Sequence, residues 1–486
     1  MLAACATPGD LPPRHALWAP VAVGSVATNA IQAAATPWPT VQWWSAFGDA
    51  QLSHLIEQAL TGQPSLQLVQ ARLRQAQAAV DLGAATSGPQ LNASVDLSDQ
   101  HFTKNGLIPP PLAGSLAWNN SAQLGGSWEL DLFGRQRAAL ESAIGQQRAV
   151  QADAQAARVL LAGQVAAAYF QLARTIETRD LAAQSLAQRQ QMQALVRQRI
   201  AAGLDTQLDQ RLADGLIAQA LVEIEALDEA TARARHALAE VTGQPPLALQ
   251  GLAPRLAKVQ VQPLPGTLPL DLLGRRADLV AQRWRVEAAS LDVDVARAQF
   301  HPNINLVGFV GLSSLGLSRF IDTGSVQYGA GPALRLPIFD GGRLRANLQG
   351  RHAEVDAAIE AYNGALLRAL REVADELASL QSLARQQQAQ ADAQVAAEDA
   401  QALAMQRHAA GLGNFLSVLS AQTNVLAQQR AATELKARAL VSSVALSRAL
   451  GGGYLADADA LPLARAASAS PAAGTAASSA GAAAMR

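Results

Sequence analysis

Four short segments alternate apolar and polar residues almost without error, and they fall into two pairs about two hundred residues apart. In the first pair, Leu91, Ala93, Val95 and Leu97 alternate with Asn92, Ser94, Asp96 and Ser98. Ala122, Leu124, Trp128, Leu130 and Leu132 then alternate with Ser121, Gln123, Ser127, Glu129 and Asp131. The second pair carries Ile304, Leu306, Val310 and Leu312, then Tyr328, Ala330, Leu334 and Leu336 set against Gln327 and Arg335. A two-residue period describes strands with one oily and one wet face. Nearly all the remaining chain is helical in pattern, so four strands cannot build a sheet core of their own. Two oily-faced hairpins in an otherwise helical chain point to contact with lipid.

Composition agrees with that reading. Alanine, glutamine and leucine dominate the 486 residues and only 4% are aromatic, which favours long, closely packed helices. A formal net charge of −1 gives no argument for a nucleic-acid partner. No run of about eighteen apolar residues occurs, so any bilayer crossing must be made by strands. The single cysteine, Cys5, excludes an internal disulfide. It ends the stretch Leu2-Ala3-Ala4-Cys5, which reads like the end of a truncated bacterial lipoprotein signal, and a covalent lipid on Cys5 is expected.

The chain is a tandem duplication. Gly134-Arg135-Gln136-Arg137-Ala138 matches Gly342-Arg343-Leu344-Arg345-Ala346, an offset of 208 (343 less 135). Ala201-Ala202-Gly203-Leu204 matches Ala409-Ala410-Gly411-Leu412 at the same offset, as Gly243 matches Gly451. Each copy reads as helix, strand, loop, strand, very long helix, tight turn and second long helix. The predicted helices cover roughly 64–86, 134–202 and 205–242, then 276–299, 342–410 and 413–450, with Pro89 and Pro302 stopping the helices that enter the strands. About 68 residues at 1.5 Å each give rods on the order of 100 Å. The domain reading is a tether over 1–42, a first repeat over 43–243, a proline-rich linker over 244–275, a second repeat over 276–454, and a disordered Ala/Ser-rich tail over 455–486.

Closure sets the assembly. Four strands cannot close a barrel, since outer-membrane barrels start at about eight strands. Open edges within lipid would leave unpaired amides and carbonyls, each costing several kcal/mol. Chains must therefore pool strands. The expected fold is mainly α with a small β part, a trimer forming a 12-stranded β-barrel on a long periplasmic α-barrel, although two or four chains also satisfy closure.

Several stretches, taken in order, resemble outer membrane factors of the TolC/OprM type, in the lipoprotein branch of drug-efflux systems. They are Trp43-Trp44-Ser45-Ala46-Phe47-Gly48-Asp49, Trp128-Glu129-Leu130-Asp131-Leu132-Phe133-Gly134-Arg135 and Gly274-Arg275-Arg276-Ala277-Asp278-Leu279. Pro337-Ile338-Phe339-Asp340-Gly341-Gly342-Arg343 and Ala449-Leu450-Gly451-Gly452-Gly453-Tyr454 complete the set. The resemblance implies a homotrimeric exit duct in the outer membrane of a Gram-negative bacterium, docked to a periplasmic membrane-fusion adaptor and an inner-membrane RND-type pump. It places adaptor docking at the periplasmic tips Gly203, Leu204, Gly411 and Leu412. Many members carry acidic gate residues just past the second tip. Here those positions hold Ser417 and Ser420, while the first copy keeps Asp205 and Asp209, so the expectation is an acidic ring from Asp209 or a gate of weaker cation selectivity.

No catalytic, cofactor or metal constellation appears. The seven histidines form no pair at ligand spacing, and there is no phosphate loop, nucleophile elbow or HExxH. Glu372, Asp375 and Glu376 beside Arg368 and Arg371 read as ion pairs on a solvated helix face. Passive conduction of drugs or other small molecules is the leading expectation. A type I protein-secretion duct, a metal-efflux duct, and a non-transporting periplasm-spanning lipoprotein are the alternatives. The alternating strands argue against the last, because a tether needs no polar lumen.

Overall fold

The computed structural model describes residues 15–18, 39–259 and 275–456. A 3-10 turn at Trp43–Phe47 leads into α1 (Ala50–Gly62) and α2 (Pro64–Thr86). Strands β1 (Gln90–His101) and β2 (Leu116–Leu130) follow, then the helical hairpin of α3 (Arg135–Ala201) and α4 (Gln207–Val241). The second copy repeats the order with α5 (Ala277–Ala298), β3 (Asn303–Leu315), β4 (Val326–Arg335), α6 (Arg343–Ala409) and α7 (Phe415–Ala449). Six helices lie within a few residues of their sequence-based bounds. Helix α1 was not anticipated, although its signals are present. Asp49 caps it by accepting from the Gln51 and Leu52 amides, and Leu52, Leu55, Ile56 and Ala59 form its buried face.

The two hairpins join edge to edge into one antiparallel sheet, ordered β1-β2-β3-β4. Its β2–β3 seam runs from Asn119 opposite Leu315 to Leu130 opposite Ile304 without a break. The register collects the apolar sets on one face: Ala93, Leu124, Val310 and Tyr328 form one row, and Val95, Ala122, Leu312 and Val326 the next. Trp118 and Trp128 share this face, ten positions apart. At about 3.3 Å per residue and a tilt near 40°, they frame a band of roughly 25 Å, the height of an outer-membrane barrel's apolar belt. Leu132 and Leu336 fall outside the strands because the chain turns away early to cap helices. The Asp131 carboxylate accepts from the Gln136 and Arg137 amides at α3. Asp340 accepts from the Leu344 and Gly342 amides at α6, bonds that hold its carboxyl below the usual aspartate range.

Helix order follows strand order. Next to the sheet α2, α3, α5 and α6 pack side by side, continuing β1, β2, β3 and β4 respectively. Farther out, α4 and α7 replace α2 and α5, giving α4, α3, α7 and α6. The 67-residue helices α3 and α6 run the full length, about 100 Å at 1.5 Å per residue. One stretch of α3 is long and apolar enough to cross a membrane, but 61% of that window is buried inside the protein. It is a core segment.

The largest core lies halfway down α3. Trp43, Trp44 and Phe47 pack with α1 onto Tyr169 and Phe170, and the Tyr169 hydroxyl donates to Asp49 Oδ2 at 2.6 Å. Burial, reinforced by the adjacent Asp49 carboxylate, pushes the Tyr169 hydroxyl's pKa far up, so it stays a donor. The first half of the expected linker over 244–275 is packed against the protein. Its prolines stop helices, yet Leu256 and Val259 bury into this same core and the Leu256 amide donates to Glu177. Glu372 also departs from expectation. It pairs with Arg276 at 3.0 Å, while Arg276 also binds Asp278 and the Ala449 carbonyl, fastening α5 to α6 and to the end of α7. Only Arg371–Asp375 forms the surface pair anticipated there. Gly451 closes this joint with φ +94, and a Cβ there would lie 1.8 Å from the Arg275 carbonyl oxygen.

The face assignment has a direct test. Leu124→Arg, near the middle of the oily face, should cost about 2–4 kcal/mol, whereas Gln123→Arg on the wet face should stay within about 0.5 kcal/mol. Thermal loss of strand circular dichroism in detergent reads both, and equal costs would reject the assignment.

Candidate functional site

Two surfaces stand out: the apolar face of the sheet, and the helix tips at the opposite end. Each tip is a left-handed glycine cap. Gly203 has φ +74, with its amide donating to the Ile200 carbonyl and the Leu204 amide to Arg199. Gly411 has φ +71, with the same pair of bonds to His408 and Arg407. These paired bonds close the ends of α3 and α6 and let the next helix start within a few residues. Leu204 and Leu412, one residue on, are exposed.

The residues after the caps differ between copies. In the first, Arg199 pairs with Asp205 at 3.0 Å, and Thr206 with Asp209 forms a reciprocal capping box at the start of α4. The Thr206 hydroxyl and amide donate to Asp209 Oδ2 at 2.6 and 3.0 Å, holding that carboxyl below its ordinary value. In the second copy Asn414 stands at the Thr206 position and Ser417 at the Asp209 position, offset by the same 208. The Asn414 side chain accepts from the Ser417 amide at 2.9 Å. Asp205 is replaced by Gly413, so Arg407 lacks the local acid that Arg199 has. Ser420 is exposed one turn farther along α7.

The tips are packed together. Val196, Ala213 and Phe415 form a small core with Met192, Ile200 and Leu419, and His408 is buried with its ring centroid 6.4 Å from that of Phe415. Its Nε2 has no hydrogen-bond partner among the described residues. Sequence reasoning passed over His408 and Phe415, although the replacement of Ile200 by His408 at the 208 offset marks the position. Behind the tips, Gln188–Gln422 at 2.9 Å and Arg174–Glu434 at 2.8 Å tie α3 to α7.

Cys5 lies outside the described residues. The segment His15–Trp18 is seated on α6: the His15 amide donates to Asp356, the Trp18 amide to Asn363 Oδ1, and Asn363 Nδ2 to the Ala16 carbonyl. From His15 to Trp18 the segment follows α6 away from the sheet.

An amphipathic sheet with two open edges, continued strand by strand into a long helical wall, defines a subunit of an outer-membrane duct. The chain belongs to the outer membrane efflux protein family, whose model matches residues 55–244 and 268–452, one stretch per copy. It is 37% identical over 369 residues to the fusaric acid resistance protein FusA of Burkholderia cepacia, covering 73% of this chain and 68% of FusA. It is 33% identical over 435 residues to the multidrug resistance outer membrane protein MdtP of Escherichia coli K12, covering 88% and 89%. Among solved structures it is similar to the outer membrane protein VceC of Vibrio cholerae at 33% identity and TM-score 0.79, over 86% of this chain and 100% of VceC. The chain is an outer-membrane channel protein with a long periplasmic extension, in a family of channels and not enzymes.

The two caps predict different acid responses. Asp209's pKa is depressed in the fold, so its cap bond contributes fully at pH 7 and is lost as pH falls through that lowered value, below about pH 4. Amides 207–212 should then exchange faster while amides 415–420, capped by Asn414, keep their protection. Thr206→Ala should give the same local fraying at neutral pH, worth about 0.5–2 kcal/mol.

Proposed function

We propose that three copies of this chain close into one exit duct, lipid-anchored through Cys5, that passively carries small organic compounds from a periplasmic adaptor and an inner-membrane pump to the exterior. The observation that carries this reading is the pair of open sheet edges, β1 and β4, on a sheet whose apolar face spans a bilayer's depth. Three chains supply 12 strands and, at each level, 12 helices, so one rotation closes both layers at once. Relatives named for resistance to fusaric acid and to multiple drugs support organic cargo. The pump supplies the energy, and the duct contributes a water-lined path. Its tips support docking: Leu204, Leu208, Leu412 and Leu416 are 65%, 67%, 73% and 60% exposed, an apolar set with no cover in the isolated chain.

The lipid anchor fits the reach of the chain. Glu360, which binds His15 at 2.9 Å, lies 17 residues along α6 from Arg343, roughly 26 Å below the sheet. Ten residues from Cys5 to His15 span up to about 33–36 Å when extended, enough to return to the membrane. Native mass spectrometry from mild detergent should give a trimer in which every chain carries an acyl mass on Cys5. A soluble, unlipidated monomer of 50.6 kDa would remove the proposal.

The gate is assigned to the first turns of α4 and α7, with Asp209 supplying the acidic ring beside Asp205, Ser417 and Ser420. Docking and gating separate experimentally. In planar bilayers Asp209→Asn lowers cation preference, whereas Leu412→Asp leaves conductance intact and abolishes drug export in cells. Unchanged selectivity in Asp209→Asn would discard the acidic ring, and normal export by Leu412→Asp would discard the docking role.

A further inference from the structure

The wet face of the sheet is not uniformly polar. Across β1 to β4 the register aligns Asn92, Gly125, Phe309 and Gly329 in one row, and Gln90, Ser127, Val307 and Gly331 in the adjoining row nearer the helices. Phe309 is thus flanked by glycine on both neighbouring strands. A Cβ at Gly329 would come within 2.9 Å of Phe309 Cε1, so the ring lies over the backbone of β4. It is 40% exposed and Val307 is 42% exposed. The other strand aromatics, Trp118, Trp128 and Tyr328, are all on the oily face. Lipid therefore accounts for those three and leaves Phe309 facing water.

We propose that Phe309 and Val307, with the glycine floor at Gly125, Gly329 and Gly331, form an apolar subsite on the lumen wall that holds planar aromatic solutes of low charge in transit. The chemistry follows from the rows on either side. Toward the exterior come Ser94, Gln123, Gly311 and Gln327, whose amides rim the hollow and can pair with polar substituents. Counted from Phe309, the nearest charged rows, containing Asp96 on one side and Glu129 on the other, are four residues along β3, about 13 Å away, while the Glu129 row is two residues, about 7 Å, from Val307. Glu129 is moreover engaged by Arg135 at 2.6 Å. A flat ring gains contact with Phe309 in an offset stack and with the bare backbone beside it, and no charge is required of it. In a closed trimer three such hollows sit at one level of the barrel.

This subsite rests on the duct reading, and a single experiment separates them. Purified protein in planar bilayers is exposed to acridine from the side opposite the helices. The wild type should show brief partial interruptions of the ion current. Phe309→Ser should shorten their mean dwell about fivefold, the loss of one aromatic contact, with the unblocked conductance little changed. Phe309→Leu, which keeps an apolar side chain over Gly329, should shorten it by a smaller factor and decides the matter if the serine variant does not fold. Wild-type dwell times in the folded serine variant, or in the leucine variant if it alone folds, mean that the ring only covers Gly329, and the subsite falls while the duct stands. A folded protein that stays monomeric in detergent and passes no current removes both.

Discussion

Everything in this molecule depends on the intolerance of hydrocarbon for an unpaired peptide group. Each edge strand, β4 with 10 residues and β1 with 12, turns its outward N–H and C=O groups away from the sheet with no strand beside them among the described residues. In water such edges are a modest liability; in a bilayer each unpaired group costs several kcal/mol. The sheet cannot reside in lipid as a monomer. The two edges are unlike, so if further copies cover them, they do so head to tail in a ring.

That demand is transmitted to the helices by direct continuation. Because β1, β2, β3 and β4 each adjoin one helix of the row α2, α3, α5, α6, the ring that closes the strands also sets the spacing of the helices beneath. The joints are short and individually satisfied. Asp131 and Asp340 leave the sheet and at once accept amides at the starts of α3 and α6. Halfway down, α1 and the 244–259 segment thicken the wall around Tyr169, Phe170 and Leu256. The change from sheet to helix therefore costs little order, and one layer of strands passes directly into one layer of helices at the membrane end.

Much of this was legible in the sequence because the signals are periodic and doubled. Alternation over eight or more residues identified the strands, and the 208-residue offset located both glycine tips, where φ is indeed positive. Less legible were the parts that depend on one residue meeting another far along the chain. Helix α1 carries a cap and an apolar face but has no described counterpart in the second copy to reinforce it. The prolines of 244–259 suggested a free connection, since nothing local reveals that Leu256 and Val259 reach α3. Glu372 reads in sequence as one of several surface acids, because its partner Arg276 lies 96 residues away. The wet-face position of Phe309 was obscured by the apolar run Leu306-Val307-Gly308-Phe309-Val310, whose parity only the register settles.

The unlike ends of the two hairpins have a consequence for whatever meets them. A ring of three chains would offer six seats of similar shape, alternating between one in which Asp205 pairs with Arg199 and one in which Gly413 stands where that acid would be beside Arg407. A binding partner built from identical units would find two chemistries at equal spacing. It would meet a paired arginine at three sites and an arginine without that acid at the other three, so the contact carries half the symmetry that its outline suggests.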